Sequence, residues 1–201
     1  ENIKKLKLYN RREFEKITNF KLGNKNLLIT FHPTTLEHNT SKKYFSNLLR
    51  VLSKLDDTKL IFTKTNSDAD GKIINQMIDR FIKKNSKSSI VYNSMGQKLY
   101  LSAMQFVDGV VGNSSSSIIE SPSLKCGSIN IGNRQKGRIK AKNTIDSDNT
   151  KQSISKAIKH LYKKDYIKNL KKTINPYDNG MSSEKITKIL IKTDFKKIIY
   201  K

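Results

Sequence analysis

The stretch Val110-Val111-Gly112-Asn113-Ser114-Ser115-Ser116-Ser117-Ile118-Ile119-Glu120 contains the local pattern that decides the fold. An apolar run at 107–112 predicts a buried β-strand. A tight polar loop at 113–117 then opens a helix that we expect to continue to Leu124. A strand that turns directly into a helix is the repeating unit of a parallel α/β sheet.

The same unit recurs on both sides of this stretch. Four further strands are predicted from short apolar runs, at residues 26–31, 59–63, 88–92 and 128–131. The segments between the first four strands have helical spacing, whereas residues 132–148 are basic and irregular. Helices are expected again at 150–163 and 181–192. Five alternations of strand and helix predict a doubly wound parallel sheet with helices on both faces.

The pattern divides the chain into three parts. Residues 1–24 form a charged linker with a leading helix, for which Asn10 is the predicted N-cap. Residues 25–175 hold the sheet and are the predicted ligand-binding domain. Residues 176–201 are a helical extension that follows the break at Asn175-Pro176-Tyr177.

Composition argues against several classes of protein. Cys126 is the single cysteine, so no internal disulfide can form. The histidines His32, His38 and His160 lie in different segments, and none has a partner at zinc-ligand spacing. No apolar run approaches the ~20 residues of a membrane helix, and the first residues lack a signal-peptide pattern. We therefore expect a cytoplasmic protein without a metal site or a membrane association.

The net charge of +23 raises the question of a nucleic-acid partner. The excess comes almost entirely from lysines, which are scattered along the whole chain. Lysine, asparagine and isoleucine are abundant together, as AT-rich codons would produce. No helix-turn-helix, zinc-finger or aromatic RNA-binding pattern is found. We expect solvated lysine faces rather than a nucleic-acid surface.

The serine loop at 113–117 has two interpretations. Ligands of open α/β sheets bind at the carboxyl ends of the strands, where backbone N–H groups and a helix N-terminus attract anions. Serine hydroxyls add donors, so the loop can hold a pyrophosphate, and Glu120 can then accept hydrogen bonds from a ribose. The other interpretation is that the serines only cap a helix.

Three other polar positions follow predicted strands. The segment Gly132–Arg138 places Arg134, Lys136 and Arg138 between glycines, and it is either a phosphate clamp or a solvated loop. His32 can donate a hydrogen bond to a phosphate or act as an acid, or it can be structural. Asn66 and Asp68 fit a ligand loop and an ordinary Asx turn equally well.

Several motifs together resemble the carboxy-terminal half of hydrolysing UDP-N-acetylglucosamine 2-epimerases. Their order and spacing agree over about residues 1–192. The motifs are Thr30-Phe31-His32-Pro33, Thr65-Asn66-Ser67-Asp68-Ala69, Gly112–Glu120 with Pro122-Ser123, Ile129–Arg138, and Asn175-Pro176-Tyr177 with Gly180 and Ser183.

The resemblance implies a Rossmann-like sheet that is one half of a glycosyltransferase-B-like fold. It implies a UDP-N-acetylhexosamine substrate in the cleft between two domains, with UDP mostly on this half. The implied reaction eliminates UDP across C1–C2 of the sugar, and hydration then gives N-acetylmannosamine, a sialic acid precursor. No metal or cofactor is expected, and a homo-oligomer is compatible with the resemblance.

The resemblance also assigns roles by position. His32 lies beside the diphosphate as the catalytic candidate, and Glu120 binds the ribose. The other nucleotide-site positions are Ser114 and Ser115 at the diphosphate, Asn66, Met95 with its backbone near uracil, and Arg134 and Arg138 in the basic loop.

Two departures from the family pattern affect these expectations. Ser117 stands where glycine is usual, which would cost strain if the position needs a positive φ. The amino-terminal partner domain, with the acids that handle the C2 proton, has no counterpart in these 201 residues. We therefore expect this chain alone to be inactive. A 2,4-diacetamido-trideoxy sugar and a stand-alone nucleotide-binding module remain alternatives.

Overall fold

A computed structural model describes residues 3, 6–33, 40–66, 69–178, 180 and 182–194. His38 and Asp68 lie outside the described residues. Within them the secondary structure runs α1 Arg11–Thr18, β1 Lys25–Thr30, α2 Ser41–Leu52, β2 Thr58–Thr63, α3 Ala69–Lys84, β3 Ser89–Tyr92, α4 Gly96–Met104, β4 Gly109–Gly112, α5 Ser116–Ile119, a 3-10 helix Ser121–Leu124, β5 Gly127–Ile131, β6 Thr144–Ser147, α6 Lys151–Leu161, α7 Lys164–Leu170 and α8 Ser182–Lys192.

The strands form one parallel sheet in the order β3-β2-β1-β4-β5-β6. β1 lies at the centre, where Ile29 pairs with Phe62 of β2 and with Val111 of β4. The chain adds β2 and β3 on one side of β1 and then returns to add β4 on the other. The predicted doubly wound parallel sheet is confirmed. β1 and β4 thus flank the point at which the strand order reverses, and folds of this type bind ligands at the carboxyl ends of the strands at such a point.

Two apolar clusters cover the two faces of the sheet. Leu27 and Ile29 of β1 belong to the cluster that includes Phe45 of α2. Leu28 belongs to the other cluster, which includes Phe14 of α1 and Met104 of α4. Because successive strand residues point to opposite faces, this division shows helices packed on both sides.

The sixth strand, β6, corrects the sequence prediction. Residues 132–148 were expected to be irregular, but Thr144–Ser147 pairs in parallel with β5 at the edge of the sheet. The strand has four residues, and only Ser147 is fully buried. Asp146 within it pairs with Lys140, whose Nζ lies 2.7 Å from the carboxylate. Such a short polar edge strand lacks the apolar run on which the prediction depended.

One helix prediction also changes at its end. The helix expected to reach Leu124 stops at Ile119, and a separate 3-10 helix begins at Ser121 with Pro122 in its first turn. The expected capping by Asn10 is confirmed, since its side chain accepts from the Glu13 N–H and the Glu13 carboxylate accepts from the Asn10 N–H. Across the described part of the chain, no helix has the length and apolar character needed to cross a membrane.

Candidate functional site

Gly112 brings the end of β4 unusually close to β1. Its φ is +142°, and a Cβ atom at this position would lie 1.9 Å from the carbonyl oxygen of Thr30. The next residue, Asn113, donates its backbone N–H to the same oxygen over 3.2 Å. Only glycine allows this approach, and it sets the serine loop directly beside the loop after β1.

The side chain of Asn113 fastens these two loops together. Its amide oxygen accepts from the backbone N–H of His32 at 2.7 Å, and its amide nitrogen donates to the His32 carbonyl at 2.8 Å. Its own carbonyl accepts from Arg134 at 3.1 Å and from Gln135 at 2.8 Å. Asn113 is 1% exposed. One buried residue therefore joins the loops that follow β1, β4 and β5.

The imidazole of His32 is held by the loop after β2. Its Nδ1 lies 3.0 Å from the hydroxyl oxygen of Thr65. The backbone of Thr65 is in turn clamped by the amide of Asn75, with two hydrogen bonds of 3.0 Å. These bonds fix the ring orientation of His32, as a positioned acid or donor requires. Asn66, the next residue, is exposed.

The serine loop presents backbone and side-chain donors at the same edge. Within the described residues, the backbone N–H groups of Ser114 and Ser115 make no hydrogen bond. The Ser114 hydroxyl lies 3.0 Å from that of Ser116. Two N–H groups without acceptors at a strand-to-helix turn are the features of an anion site.

Ser117 causes no backbone strain. It lies within α5 and is absent from the residues with positive φ. Its hydroxyl donates to the Ser114 carbonyl at 2.7 Å, so it stabilises the loop from inside. The departure from the usual glycine therefore needs no unfavourable conformation.

Glu120 stands at the end of α5, half-buried, and burial raises the pKa of its carboxyl above the ordinary value. The chain on both sides of it is anchored by Asn175, whose amide nitrogen lies 2.8 Å from the Ile119 carbonyl and 2.7 Å from the Ser123 hydroxyl. The break motif at 175–177 thus holds the predicted ribose-binding carboxylate in place.

The basic loop adds positive charge next to Asn113. The side chains of Arg134 and Arg138 are exposed. Partial loss of hydration around the guanidinium of Arg134, together with the charge of Arg138, lowers the pKa of Arg134. Gln135 beneath them is 2% exposed. Tyr177 donates its hydroxyl to the Ile139 carbonyl at 3.0 Å, which ties this loop to the same break motif. Two guanidinium groups at this edge favour an anionic ligand.

The predicted site residues are connected to different degrees. His32 and Arg134 meet at Asn113, which leads directly into Ser114 and Ser115. Met95 is buried at the start of α4, and no described hydrogen bond joins it, Asn66 or Glu120 to that group. No cluster of metal-ligating side chains occurs in the described ranges. Sequence reasoning missed Asn113, Thr65 and Tyr100, whose roles depend on contacts between separate loops.

The sequence matches a family of known proteins. The profile of the UDP-N-acetylglucosamine 2-epimerase family matches residues 2–191. The chain belongs to this family. The chain is also similar to the GDP/UDP-N,N'-diacetylbacillosamine 2-epimerase (hydrolyzing) of Campylobacter jejuni, which is 41% identical over 146 residues, or 73% of this chain and 38% of the relative.

Two other relatives extend this comparison across most of the chain. The polysialic acid biosynthesis protein P7 of Escherichia coli is 33% identical over 88% of this chain and 45% of its own length. The Methanocaldococcus jannaschii epimerase, solved with UDP-N-acetylglucosamine and UDP, superimposes with a TM-score of 0.66 at 21% identity. The alignment covers 94% of this chain and 50% of that one. The chain therefore spans half or less of the length of these relatives, and its fold matches about half of the M. jannaschii structure.

Proposed function

We propose that this chain supplies the UDP-binding half of a hydrolysing 2-epimerase that acts on a UDP-linked acetamido sugar. The observation that carries the proposal is the pair of unbonded N–H groups at Ser114 and Ser115, next to Arg134 and His32. They supply donors and positive charge where a diphosphate would lie. The solved M. jannaschii relative, bound to UDP-N-acetylglucosamine and UDP, supports this ligand class.

The sugar is either N-acetylglucosamine, with N-acetylmannosamine as the product, or a 2,4-diacetamido-trideoxyhexose. The name of the C. jejuni relative favours the second sugar, because that protein is a diacetylbacillosamine epimerase at 41% identity. The family name favours the first. Both substrates share the UDP leaving group, so the proposed roles of the residues in this chain are the same for either.

The proposed reaction begins by breaking the bond between C1 and the UDP oxygen. The C2 proton leaves to a base, and a double bond forms between C1 and C2. Water then adds its hydroxyl to C1 and a proton to the opposite face of C2, which inverts that carbon. In this chain, Ser114, Ser115 and Arg134 would hold the leaving diphosphate, and Glu120 would hold the ribose. His32 would donate to the oxygen on which charge develops.

The reaction is tested by mass spectrometry of the products formed from UDP-N-acetylglucosamine and from the UDP-linked diacetamido sugar, using the longest native form of the protein. We expect free UDP and the C2-inverted sugar from one of them. The 201-residue chain alone should bind UDP weakly and release none from a nucleotide sugar, because half a cleft does not exclude water. Preference for duplex DNA over UDP at physiological salt would refute the proposal.

A ribose-binding role for Glu120 predicts a specific kinetic pattern. Glu120→Gln should raise KM about tenfold in the longest native form while kcat changes by less than about threefold, because a ribose contact is equal in ground and transition states. Steady-state kinetics measures both constants. Glu184→Gln, at an exposed position of α8, is the matched control and should change neither. A fall in kcat at constant KM would remove Glu120 from the ribose.

A further inference from the structure

Five hydroxyl groups form a continuous chain from the carboxyl ends of β1 and β2 to the serine loop. The distances are 2.8 Å from Thr63 to Thr30, 3.3 Å from Thr30 to Tyr100, 2.7 Å from Tyr100 to Ser116 and 3.0 Å from Ser116 to Ser114. Tyr100 is the link between the buried threonines and the loop. It comes from α4, so no spacing in the sequence predicts the contact.

The two ends of this hydroxyl chain have different partners. At the inner end, the Thr63 hydroxyl can donate to the Ile29 carbonyl, but over 3.5 Å, which is a weak contact. At the outer end, the Ser114 oxygen is 3.4 Å from the backbone N–H of Ser116. Each hydroxyl has one proton to donate, so a hydroxyl at one end of the chain that gives its proton to an outside acceptor forces all four bonds to run toward that end.

The two directions differ in what the Ser114 hydroxyl offers a ligand. If the protons point inward, the Ser114 proton is used on Ser116, and a serine lone pair faces outward. If they point outward, each oxygen accepts from the hydroxyl behind it, and the Ser114 proton is available to a ligand. An anionic oxygen selects the outward direction, and donors in a chain polarise one another.

We propose that Tyr100 is a positioning residue that sets the Ser114 and Ser116 hydroxyls as donors toward the diphosphate. This inference rests on the proposed function, because it takes the anion to be the diphosphate of UDP. Tyr100 touches no ligand in this scheme. Its hydroxyl donates a hydrogen bond to Ser116. The Ser116 proton is then donated to Ser114, and the Ser114 proton to the anion.

The test compares UDP with uridine, which lacks the diphosphate, by calorimetry on the longest native form. Tyr100→Phe keeps the ring and removes only the hydroxyl. We expect it to weaken UDP about threefold to tenfold, the usual effect of one hydrogen bond, and to leave uridine within about twofold. The matched control is Tyr162→Phe, whose hydroxyl donates to Asp108 at 3.2 Å near the opposite ends of the strands, and it should change neither affinity.

Combining Tyr100→Phe with Thr30→Val tests the continuity of the chain. If the hydroxyls act as one unit, the double variant should lose little more UDP affinity than the weaker-binding single variant. Additive losses would contradict the chain. Thermal unfolding of each variant shows whether the folded state is retained.

The remaining outcomes separate this inference from the proposed function. If Ser114→Ala weakens UDP and Tyr100→Phe does not, the inference fails and the function stands. Equal loss of UDP and uridine in Tyr100→Phe would mean a structural role and would also overturn it. If the unmodified protein binds no UDP, both proposals fall together.

Discussion

His32→Ala in the longest native form is expected to lower kcat about a hundredfold or more while UDP affinity falls much less. Negative charge grows on the departing UDP oxygen as the C1–O bond breaks, so a donor beside it becomes stronger in the transition state. The structure gives His32 the fixed orientation this requires, through Thr65 at Nδ1 and Asn113 on its backbone.

The experiment measures kcat per folded molecule and the dissociation constant of UDP. His160→Ala is the matched control, because that exposed histidine lies at the end of α6 with its ring 5.4 Å from the ring of Tyr166. It should leave both constants unchanged. If His32 only packs in its turn, the variant will lose stability and the folded fraction will keep its kcat. That result would remove His32 from the active site.

Gly112→Ala should destabilise the fold by at least about 3 kcal/mol, a large share of the 5–15 kcal/mol typical of a domain. The new Cβ would lie 1.9 Å from the Thr30 oxygen, and neither β1 nor β4 can withdraw without breaking the sheet. Urea denaturation followed by linear extrapolation gives the free energy of unfolding. A variant too unstable to purify as a folded protein agrees with the expectation.

Gly96→Ala separates steric clash from backbone strain. Gly96 also has a positive φ, +62°, but a Cβ there would meet nothing within 4 Å. Its substitution should cost only about 1–2 kcal/mol. If both variants lose the same free energy, the clash with Thr30 is not what destabilises Gly112→Ala.

Most of the sheet could be predicted because its inner strands carry continuous apolar runs. β1 contains Leu27, Leu28 and Ile29, all buried, and such runs identify strands covered on both faces. β6 could not be predicted, because Thr144-Ile145-Asp146-Ser147 is short and half polar. Its place at the edge depends on hydrogen bonds to β5, which no local pattern records.

The candidate site was predictable as a set of loops but not as a network. Parallel strands deliver their carboxyl ends to one edge, so His32, Ser114 and Arg134 could be expected near one another. Asn113 joins them through its side-chain amide and its backbone carbonyl, and these contacts link residues up to 81 positions apart, so no local pattern predicts them. The role of Tyr100 could not be predicted for the same reason, since the contact of its hydroxyl with Ser116 joins a helix to a separate loop.

The junction at Asn113 limits how the protein can be re-engineered. Exchanging the basic loop for that of another family member would transplant Arg134 and Gln135 together with the two hydrogen bonds they donate to the Asn113 carbonyl. A graft that omits Gln135 would leave the buried Asn113 carbonyl with one hydrogen-bond donor fewer. The turn at Asn113, which lies outside the grafted loop, would then be less stable. A basic loop grafted at this edge should therefore keep a donor at both positions, 134 and 135, if the turn at Asn113 is to retain its stability.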